Sequence, residues 1–406
     1  MRKNKAVKSL VRGDFLQTCW KKLDYLLACL ARKIVYREPV EKQNKVLFMT
    51  YDFKFTCNPS YIAQEFLRRN APVELVWVVK DKETAMPKEI RKVLYRSYDM
   101  FEEMNTSKIW VDNALNCVWD DMPKQKDQYY FNTWHGSMGI KRLSGSGVWL
   151  HRAKRCKKRT DFCVSNSKFE ENVYAETFWQ GVPCLQYGHA RNDILFDESR
   201  RGEYRQKICE TLGIPEDKKL FLYAPTFRDD GDMSFLSMDY HAVQGELEKK
   251  FGGSWVVLLR LHFKNRAHSN KVQYDERVMN TSVYPDMQEL MAAVDMGCTD
   301  YSSWAYDYVL TRRPMILYAP DCKKYSGSRG FYYSLEETPF PIAHDTEEML
   351  KKIDEFDLDS YQVDCEKFLQ EKGCYEDGHA AEKIVDKMLE LMGIENCPHV
   401  EEKVTV

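Results

Sequence analysis

From Lys45 onward, short apolar runs alternate with longer segments whose apolar residues recur every three or four positions. Short runs rich in β-branched and aromatic residues are typical of buried strands, and the longer spacing is typical of amphipathic helices. The pattern predicts strands over 45–51, 73–79, 108–112, 128–133, 160–165, 182–187, 220–224, 255–261, 294–298 and 314–318. It predicts helices over 60–69, 195–217, 304–310, 347–356 and 380–392, and another capped by Ser167. This alternation indicates an α/β fold with parallel, doubly wound sheets.

The first 44 residues differ from the rest of the chain in charge. Residues 1–38 carry ten Lys or Arg residues against three acidic ones. Helical spacing relates the large apolar residues of this segment, which are Leu16, Trp20, Leu23, Leu27, Leu30 and Ile34. Such a helix either packs its apolar stripe on the protein core or lies in a membrane interface. The basic excess favours the membrane, and no stretch of about 18 uncharged apolar residues predicts a transmembrane helix.

A second basic cluster lies between two predicted strands of the first half. Its members are Arg152, Lys154, Arg155, Lys157, Lys158 and Arg159. One interpretation is an ordinary solvated helix face. The other is a surface that binds anionic lipid or a polyanionic acceptor.

Composition restricts the function classes. The 406 residues suffice for two domains, and a hydrophobic content of 44% indicates a globular protein. The net charge of −2 gives no overall field for nucleic acid, and no nucleic-acid-binding module is recognised. The thirteen cysteines are odd in number and include no C-x-x-C pair, which argues against a disulfide scaffold and a zinc ribbon. Cysteine usage therefore fits a reducing cytoplasm.

The strand predicted over 128–133 runs directly into a histidine followed by a glycine. Ligands of open α/β sheets bind beyond the carboxyl ends of the strands, where His135 is expected. An imidazole with a pKa near neutrality transfers protons readily, and Gly136 permits close approach of backbone or ligand. The alternative is a buried histidine bonded to a backbone carbonyl. Further polar clusters at later strand ends favour the functional interpretation.

The later clusters combine hydroxyl, histidine and arginine side chains. Arg228 follows the strand over 220–224, and His262 follows the strand over 255–261. Ser302 and Ser303 precede the helix predicted over 304–310. Hydroxyls and unpaired N–H groups at a helix start bind anions, although serines there also serve as simple N-caps. Together with His262 and Arg228, the serines predict a phosphate or pyrophosphate site.

Several other catalytic motifs are missing. No P-loop, complete dinucleotide fingerprint or G-x-S-x-G elbow occurs. No H-x-x-x-H pair occurs either, and we expect no metal and no cofactor.

Six motifs, in the same order along the chain, resemble those of a known family. They are Asn58-Pro59, Trp134-His135-Gly136 with Lys141, Gly188 with Arg191-Asn192-Asp193, Ala224-Pro225-Thr226-x-Arg228-Asp229-Asp230, Thr299-Asp300-Tyr301-Ser302-Ser303 and Arg329-Gly330-Phe331-Tyr332. Over roughly residues 45 to 390, the chain resembles the CDP-glycerol glycerophosphotransferases, which are teichoic acid primases and polymerases of Gram-positive envelopes. The resemblance implies a glycosyltransferase-B-like fold, with two Rossmann-like domains facing a cleft. It also implies a peripheral location on the cytoplasmic face of the membrane.

The resemblance implies transfer of glycerol phosphate from CDP-glycerol to a hydroxyl of a polyprenyl-linked or polymeric envelope acceptor, with release of CMP. His135 would accept the hydroxyl proton, and His262, the second catalytic residue, would hold the pyrophosphate and stabilise charge on the departing CMP. The donor residues would be Thr226, Arg228, Thr299, Asp300, Ser302 and Ser303, with Asp300 as a structural brace. The acceptor-side residues would be Gly136, Lys141, Arg191 and Asp193.

The expected organisation is a basic segment over 1–44, an acceptor-side domain over 45–205, a donor domain over 206–395 and a tail over 396–406. Two motifs depart from the family pattern. Ser137-Met138-Gly139 replaces Thr-Pro after the histidine-glycine pair, and Phe263 replaces the proline after His262. CDP-ribitol therefore remains an alternative donor. A nucleotide-sugar glycosyltransferase and a non-catalytic polyanion binder at the membrane remain alternative functions.

Overall fold

The structure is a computed structural model that describes residues 15–36, 42–115, 122–137, 139–143, 147–228, 232–262, 265, 269–322, 324–325, 330–395 and 397. These residues form two parallel β-sheets with connecting helices, which confirms the predicted α/β class. Residues 1–14 and the predicted tail, apart from Cys397, lie outside the described residues. So do Asp229, Asp230 and Arg329 of the family motifs.

The first sheet has seven parallel strands in the order β3-β2-β1-β4-β5-β6-β7. The strands are β1 Gln43–Met49, β2 Glu74–Val79, β3 Arg91–Leu94, β4 Ser107–Asp112, β5 Tyr129–Asn132, β6 Phe162–Val164 and β7 Cys184–Leu185. The connecting helices are Cys57–Arg68, Tyr98–Thr106, Gly147–Lys157 and Lys168–Thr177, followed by a 3-10 helix over Ala190–Leu195. Ser167 caps its helix as predicted, accepting a hydrogen bond from the N–H of Glu170.

The second sheet has six parallel strands in the order β10-β9-β8-β11-β12-β13. The strands are β8 Lys219–Tyr223, β9 Trp255–Leu259, β10 Val278–Asn280, β11 Met296–Thr299, β12 Met315–Tyr318 and β13 Ile342–Ala343. Its helices are Glu198–Leu212, Tyr240–Phe251, Met287–Ala293, Ala305–Tyr308, Thr346–Asp354 and Leu358–Lys372, with 3-10 turns at Ser234–Leu236, Val309–Thr311 and Leu335–Glu337. The last described helix is Ala380–Met392.

Each sheet reverses its strand order beside its first strand. In the first sheet, β1 pairs with β2 on one side and with β4 on the other. In the second sheet, β8 pairs with β9 on one side and with β11 on the other. Open α/β sheets bind ligands at such reversals, beyond the carboxyl ends of the strands. The loops that follow β1, β4, β8 and β11 are therefore the expected binding loops.

The sequence prediction missed three short edge strands. Strands β3, β10 and β13 contain four, three and two residues, and each buries only one of them. A single buried residue gives no apolar run, so the sequence pattern contained no signal for these strands. The helix predicted over 304–310 is shorter, with an α-helix over Ala305–Tyr308 and a 3-10 turn after it.

Two expected domain limits separate helices from the core on which they pack. The boundary at 205/206 falls inside the helix Glu198–Leu212, whose buried Ile208 and Cys209 belong to the core around the second sheet. The helix Ala380–Met392 was assigned to the second domain. Its buried Ile384 and Met388 instead belong to a core that includes residues of β1 and β2. The chain therefore returns to the first sheet at its C-terminal end.

The N-terminal helix Phe15–Val35 contacts the fold with one face and exposes another. Ala28 and Val35 are buried in a core cluster of the first sheet. Four residues of the predicted apolar stripe have described side chains, and all four lie outside this contact. They are Leu23, Leu27, Leu30 and Ile34, each with 45–64% of its surface exposed. These four residues of the stripe are therefore not packed on the core. Within the described part of the chain, no helix combines the length and apolarity needed to cross a membrane.

Candidate active site between the two sheets

His135 lies in the turn after β5, and a main-chain contact fixes its tautomer. Trp134 adopts a left-handed conformation with φ of 50°, and its N–H donates to Asn132 Oδ1 at 3.0 Å. His135 Nδ1 lies 2.5 Å from the carbonyl oxygen of Asn113, in the loop after β4. Because a carbonyl only accepts hydrogen bonds, Nδ1 carries the proton and Nε2 is the basic nitrogen. His135 is thus bonded to a backbone carbonyl, as the alternative interpretation expected. This bond occupies only Nδ1 and leaves Nε2 available for proton transfer.

Two aromatic rings flank the imidazole. The ring centroid of Trp134 lies 4.3 Å from that of His135, and the centroid of Tyr51 lies 5.1 Å away. Burial lowers the pKa of His135 to about 4, although the carbonyl of Asn113 acts in the opposite direction. The ring is therefore neutral at physiological pH and able to accept a proton.

Arg191 connects the His135 turn to the second sheet. Its guanidinium is buried and donates to the carboxylate of Asp307, with the shortest distance 3.0 Å between Nη2 and Oδ2. The same Nη2 donates to the carbonyl oxygen of Gly136. Asn192 Nδ2 also donates to Asp307, at 3.0 Å. Arg191 thus positions the residue next to His135 and is neutralised by a carboxylate of the other half.

The other motif residues of this region also make internal contacts. Asn58 Nδ2 donates to the carbonyl oxygens of Thr133 and Trp134 at 3.0 and 3.2 Å, and Asn58 Oδ1 accepts from the N–H of Arg191. Asp193 caps the helix Ala380–Met392 by accepting from the first two N–H groups at 2.9 and 2.7 Å. These contacts support positioning roles for Arg191 and Asp193, in place of direct acceptor binding.

Asp300 braces the turn after β11, as predicted. Its carboxylate accepts from the N–H of Thr226 at 2.9 and 3.0 Å and from the N–H of Tyr301 at 2.6 Å. The same carboxylate lies 2.8 Å from Arg228 Nη1. Asp300 therefore joins the loops after β8 and β11 where the strand order of the second sheet reverses.

Arg228 does not fit its predicted role as a direct pyrophosphate ligand. It is only 4% exposed, and it donates to both carboxylate oxygens of Asp321 at 2.6 and 2.9 Å. With Asp300 also in contact, two carboxylates surround one positive charge. Thr299 is buried as well, and its hydroxyl donates to the carbonyl oxygen of Ala224 at 2.7 Å. Both residues therefore stabilise the donor-side loops from within.

The remaining predicted donor residues present polar groups at the edge of the second sheet. Ser302 and Ser303 are partly exposed, and His262 is exposed with its ring stacked on Phe227 at a centroid distance of 5.7 Å. The buried hydroxyl oxygen of Thr226 has no hydrogen-bond partner among the residues that the structure describes. A buried hydroxyl without a partner is costly, and a bound phosphate oxygen would satisfy it.

The loop that carries His135 contacts the loop that carries the two serines. A Cβ atom added at Gly139 would lie 3.2 Å from the Cβ of Ser303. Two residues later, Lys141 pairs with Phe331 of the second half in an antiparallel bridge. The proposed base and the proposed phosphate ligands therefore lie on adjoining loops of the two sheets.

Sequence reasoning missed three residues of this site: Tyr51, Asn113 and Asp307. Tyr51 and Asn113 follow β1 and β4, where the strand order of the first sheet reverses. The sequence does not reveal the strand order, so it could not show that Tyr51 and Asn113 lie close together. Among the described residues, no cluster of His, Cys, Asp or Glu side chains has the arrangement of a metal site.

Comparison with known proteins identifies related families and structures. The model of the CDP-glycerol:poly(glycerophosphate) glycerophosphotransferases matches residues 30–390. A teichoic acid poly(glycerol phosphate) polymerase of Bacillus subtilis is 30% identical over 86% of this chain and 49% of its own length. A teichoic acid glycerol-phosphate transferase of Staphylococcus aureus is 28% identical over 84% of this chain and 92% of its own length. A teichoic acid poly(ribitol-phosphate) polymerase of Bacillus spizizenii is 26% identical over 87% of this chain and 58% of its own length.

The chain thus spans about half the length of some curated relatives and nearly all of others. A solved structure of a variant of the wall teichoic acid polymerase TagF superposes with a TM-score of 0.81 at 25% identity, covering 96% of this chain and 97% of that one. A glycosyltransferase of Rickettsia africae shares the fold at 13% identity, with a TM-score of 0.51. The superposition covers 87% of this chain and 99% of the glycosyltransferase.

Proposed function

Because this chain belongs to the CDP-glycerol:poly(glycerophosphate) glycerophosphotransferase family, we propose that it transfers glycerol phosphate from CDP-glycerol to a hydroxyl of an envelope polymer or lipid-linked acceptor. CMP is the leaving group. The observation that carries this proposal is the contact between the His135 loop and the Ser303 loop, with Gly139 against Ser303. It joins a neutral base to a group of phosphate-binding hydroxyls.

The reaction is an attack of the acceptor hydroxyl on the phosphorus bonded to glycerol. His135 Nε2 accepts the hydroxyl proton, because Nδ1 is occupied by the carbonyl of Asn113. The oxygen of the acceptor then bonds to phosphorus, and the bond from phosphorus to the CMP oxygen breaks. Asn58 and Arg191 hold the His135 turn through its main-chain carbonyls and so orient the base. Orientation is a large part of the rate enhancement in phosphoryl transfer.

The second sheet supplies the donor-binding groups in this mechanism. Ser302, Ser303 and the buried hydroxyl of Thr226 donate to the pyrophosphate oxygens. His262 lies beside the leaving CMP in this mechanism, where an imidazole N–H donates to an oxygen that develops negative charge. Arg228 contributes indirectly, since it holds the Thr226 loop against Asp321.

A donor screen tests the proposed activity. The purified chain is incubated with CDP-glycerol, CDP-ribitol and UDP-sugars in the presence of an envelope acceptor, and released nucleotide is quantified. We expect CMP from CDP-glycerol. The higher identity to glycerol-phosphate enzymes, 28–30% against 26% for the ribitol-phosphate polymerase, favours this donor. UDP release alone would favour a glycosyltransferase, and no nucleotide release from any donor would favour a non-catalytic binder.

The exposed face of the N-terminal helix supports a peripheral location on a membrane with anionic lipids. We propose the cytoplasmic side of that membrane, as the family resemblance implies. Leu26 and Leu30 are 63% and 55% exposed on a helix whose last turn carries Arg32 and Lys33. The helix Gly147–Lys157 adds Lys154, Arg155 and Lys157 in its own last turn. Apolar side chains beside basic ones are typical of helices in the membrane interface.

The contacts of the two cores support a revised domain division. The acceptor-side domain comprises residues 42–197 together with the helix Ala380–Met392, and the donor domain comprises residues 198–379. Ile140 and Leu195 of the acceptor-side domain pack on the core of the donor domain. Limited proteolysis followed by mass spectrometry tests this division. Stable association of the C-terminal helix with the fragment 42–197 is the expected result.

A further inference from the structure

We infer that Tyr51 is an acceptor-binding residue whose ring packs against the C–H face of a cyclic sugar that carries the attacking hydroxyl. This inference rests on the proposed function and specifies the acceptor class. Tyr51 is 49% exposed, although it lies beside His135 with 5.1 Å between ring centroids. An aromatic ring half-exposed beside a catalytic base offers apolar contact area to the group that approaches that base.

The position of Tyr51 is fixed by the same residue that fixes His135. The main-chain N–H of Tyr51 donates to Asn113 Oδ1 at 2.9 Å, and His135 Nδ1 contacts the carbonyl oxygen of Asn113. Asn113 is itself buried in the loop after β4. Tyr51, Asn113 and His135 therefore follow three adjacent strands, β1, β4 and β5, and form one unit at the strand-order reversal.

Internal contacts also hold the loop that carries Tyr51 in one shape. Thr50 Oγ1 donates to the carbonyl oxygen of Lys54 at 2.8 Å, and Thr56 Oγ1 donates to Asp52 Oδ1 at 3.2 Å. Phe53 is buried with a left-handed φ of 61°. A site whose shape exists before the ligand binds loses less entropy on binding.

The charges near Tyr51 favour a sugar ring over a phosphate-rich chain end. The charged groups that act on its phenol include the carboxylate of Asp52 and the cations Arg191 and Arg260. Arg191 is paired with Asp307, and Arg260 Nη1 donates to the carbonyl oxygens of Thr281 and Tyr284. Both guanidinium groups are therefore engaged within the protein. The surface that Tyr51 offers is aromatic, which suits the apolar face of a pyranose.

The test compares two soluble acceptor probes by direct binding without donor. One probe is a short-chain alkyl hexopyranoside, and the other carries glycerol phosphate on the same alkyl chain. We expect Tyr51→Ala to weaken pyranoside binding about tenfold or more, to leave binding of the glycerol phosphate probe unchanged, and Tyr51→Phe to bind both probes as the wild type does. Tyr98→Ala, which removes a tyrosine of similar exposure (52%), is the matched control.

The inference is overturned if wild-type protein does not bind the pyranoside, or if Tyr51→Ala binds it as tightly as wild type. Equal weakening of both probes also overturns it, because it would indicate a general disturbance of the loop. The assay contains no donor, so its result is independent of transfer. Pyranoside binding that depends on Tyr51, together with no nucleotide release from any donor, would contradict the proposed function only.

Discussion

The guanidinium of Arg191 and the carboxylate of Asp307 form a buried ion pair that joins the two halves of the chain, with 3.0 Å between Nη2 and Oδ2. Each side chain is only 4% exposed. Because Arg191 also donates to the carbonyl oxygen of Gly136, the pair connects the turn of His135 to the segment after Ser303. The geometry of the base thus depends on a residue of the donor half.

Asp307→Ala should reduce the free energy of unfolding by about 3–5 kcal/mol, because it leaves the buried charge of Arg191 unpaired. Urea denaturation of wild type and variant measures this change. Arg312→Ala removes a pair between Arg312 and the exposed Glu366, and this control should cost at most about 1 kcal/mol. Equal stability losses in the two variants would show that the Arg191–Asp307 pair is no more important than a surface pair.

Ser302→Ala and His262→Ala should each weaken CDP-glycerol binding while the fold persists. A lost hydrogen bond to a charged group costs about 1.5–3 kcal/mol, equivalent to roughly ten- to a hundredfold in Kd. Isothermal titration with CDP-glycerol measures the affinity, and circular dichroism checks the fold. Ser254→Ala, at an exposed serine before β9, should bind as the wild type does. Unchanged donor affinity in both site variants would remove these residues from the donor site.

Replacing Leu26, Leu27 and Leu30 by serine should release the protein from anionic liposomes. These side chains are 55–63% exposed, so their removal leaves the folded core intact while it takes away the apolar contact with lipid. Liposome flotation measures the bound fraction. Val363→Ser, at a residue 67% exposed elsewhere, should bind as the wild type does. Deletion of residues 1–38 gives a second comparison, and liposome binding that survives both changes would exclude this helix as the anchor.

On acidification, kcat/KM should fall as His135 becomes protonated, with a midpoint near pH 4. Burial lowers the pKa of this imidazole to about 4, so the neutral, basic form persists well below the ordinary value of about 6.5. The same shift means that the unfolded state binds more protons than the folded state between about pH 4 and 6.5. The stability contributed by this group is therefore present above pH 6.5 and lost as the pH falls toward 4.

Urea denaturation at several pH values, on wild type and His135→Asn, separates this contribution from those of other groups. Wild type should lose more stability than the variant on acidification, because asparagine does not titrate. Parallel losses would show that the pKa of His135 is not lowered in the folded state.

The sequence predicted most of the central strands and the positions of the polar clusters, because buried parallel strands give continuous apolar runs. It could not reveal which polar residues serve the fold. Arg228 was predicted to bind phosphate, yet Asp321 and Asp300 neutralise it, and Asp321 is 93 residues away along the chain. Tyr51 and Asn113 become neighbours only through the pairing of β1 with β4. Such long-range contacts leave no local pattern.

The turnover rate of His135→Asn tests the central claim most directly. CMP release from CDP-glycerol is measured at saturating acceptor, and donor affinity is measured separately. Asparagine retains hydrogen-bonding groups but accepts no proton near neutral pH, so kcat should fall about 10²–10⁴-fold while the Kd for CDP-glycerol stays near the wild-type value. His135→Ala should behave similarly. An asparagine variant with near wild-type turnover would contradict the assignment of His135 as the general base.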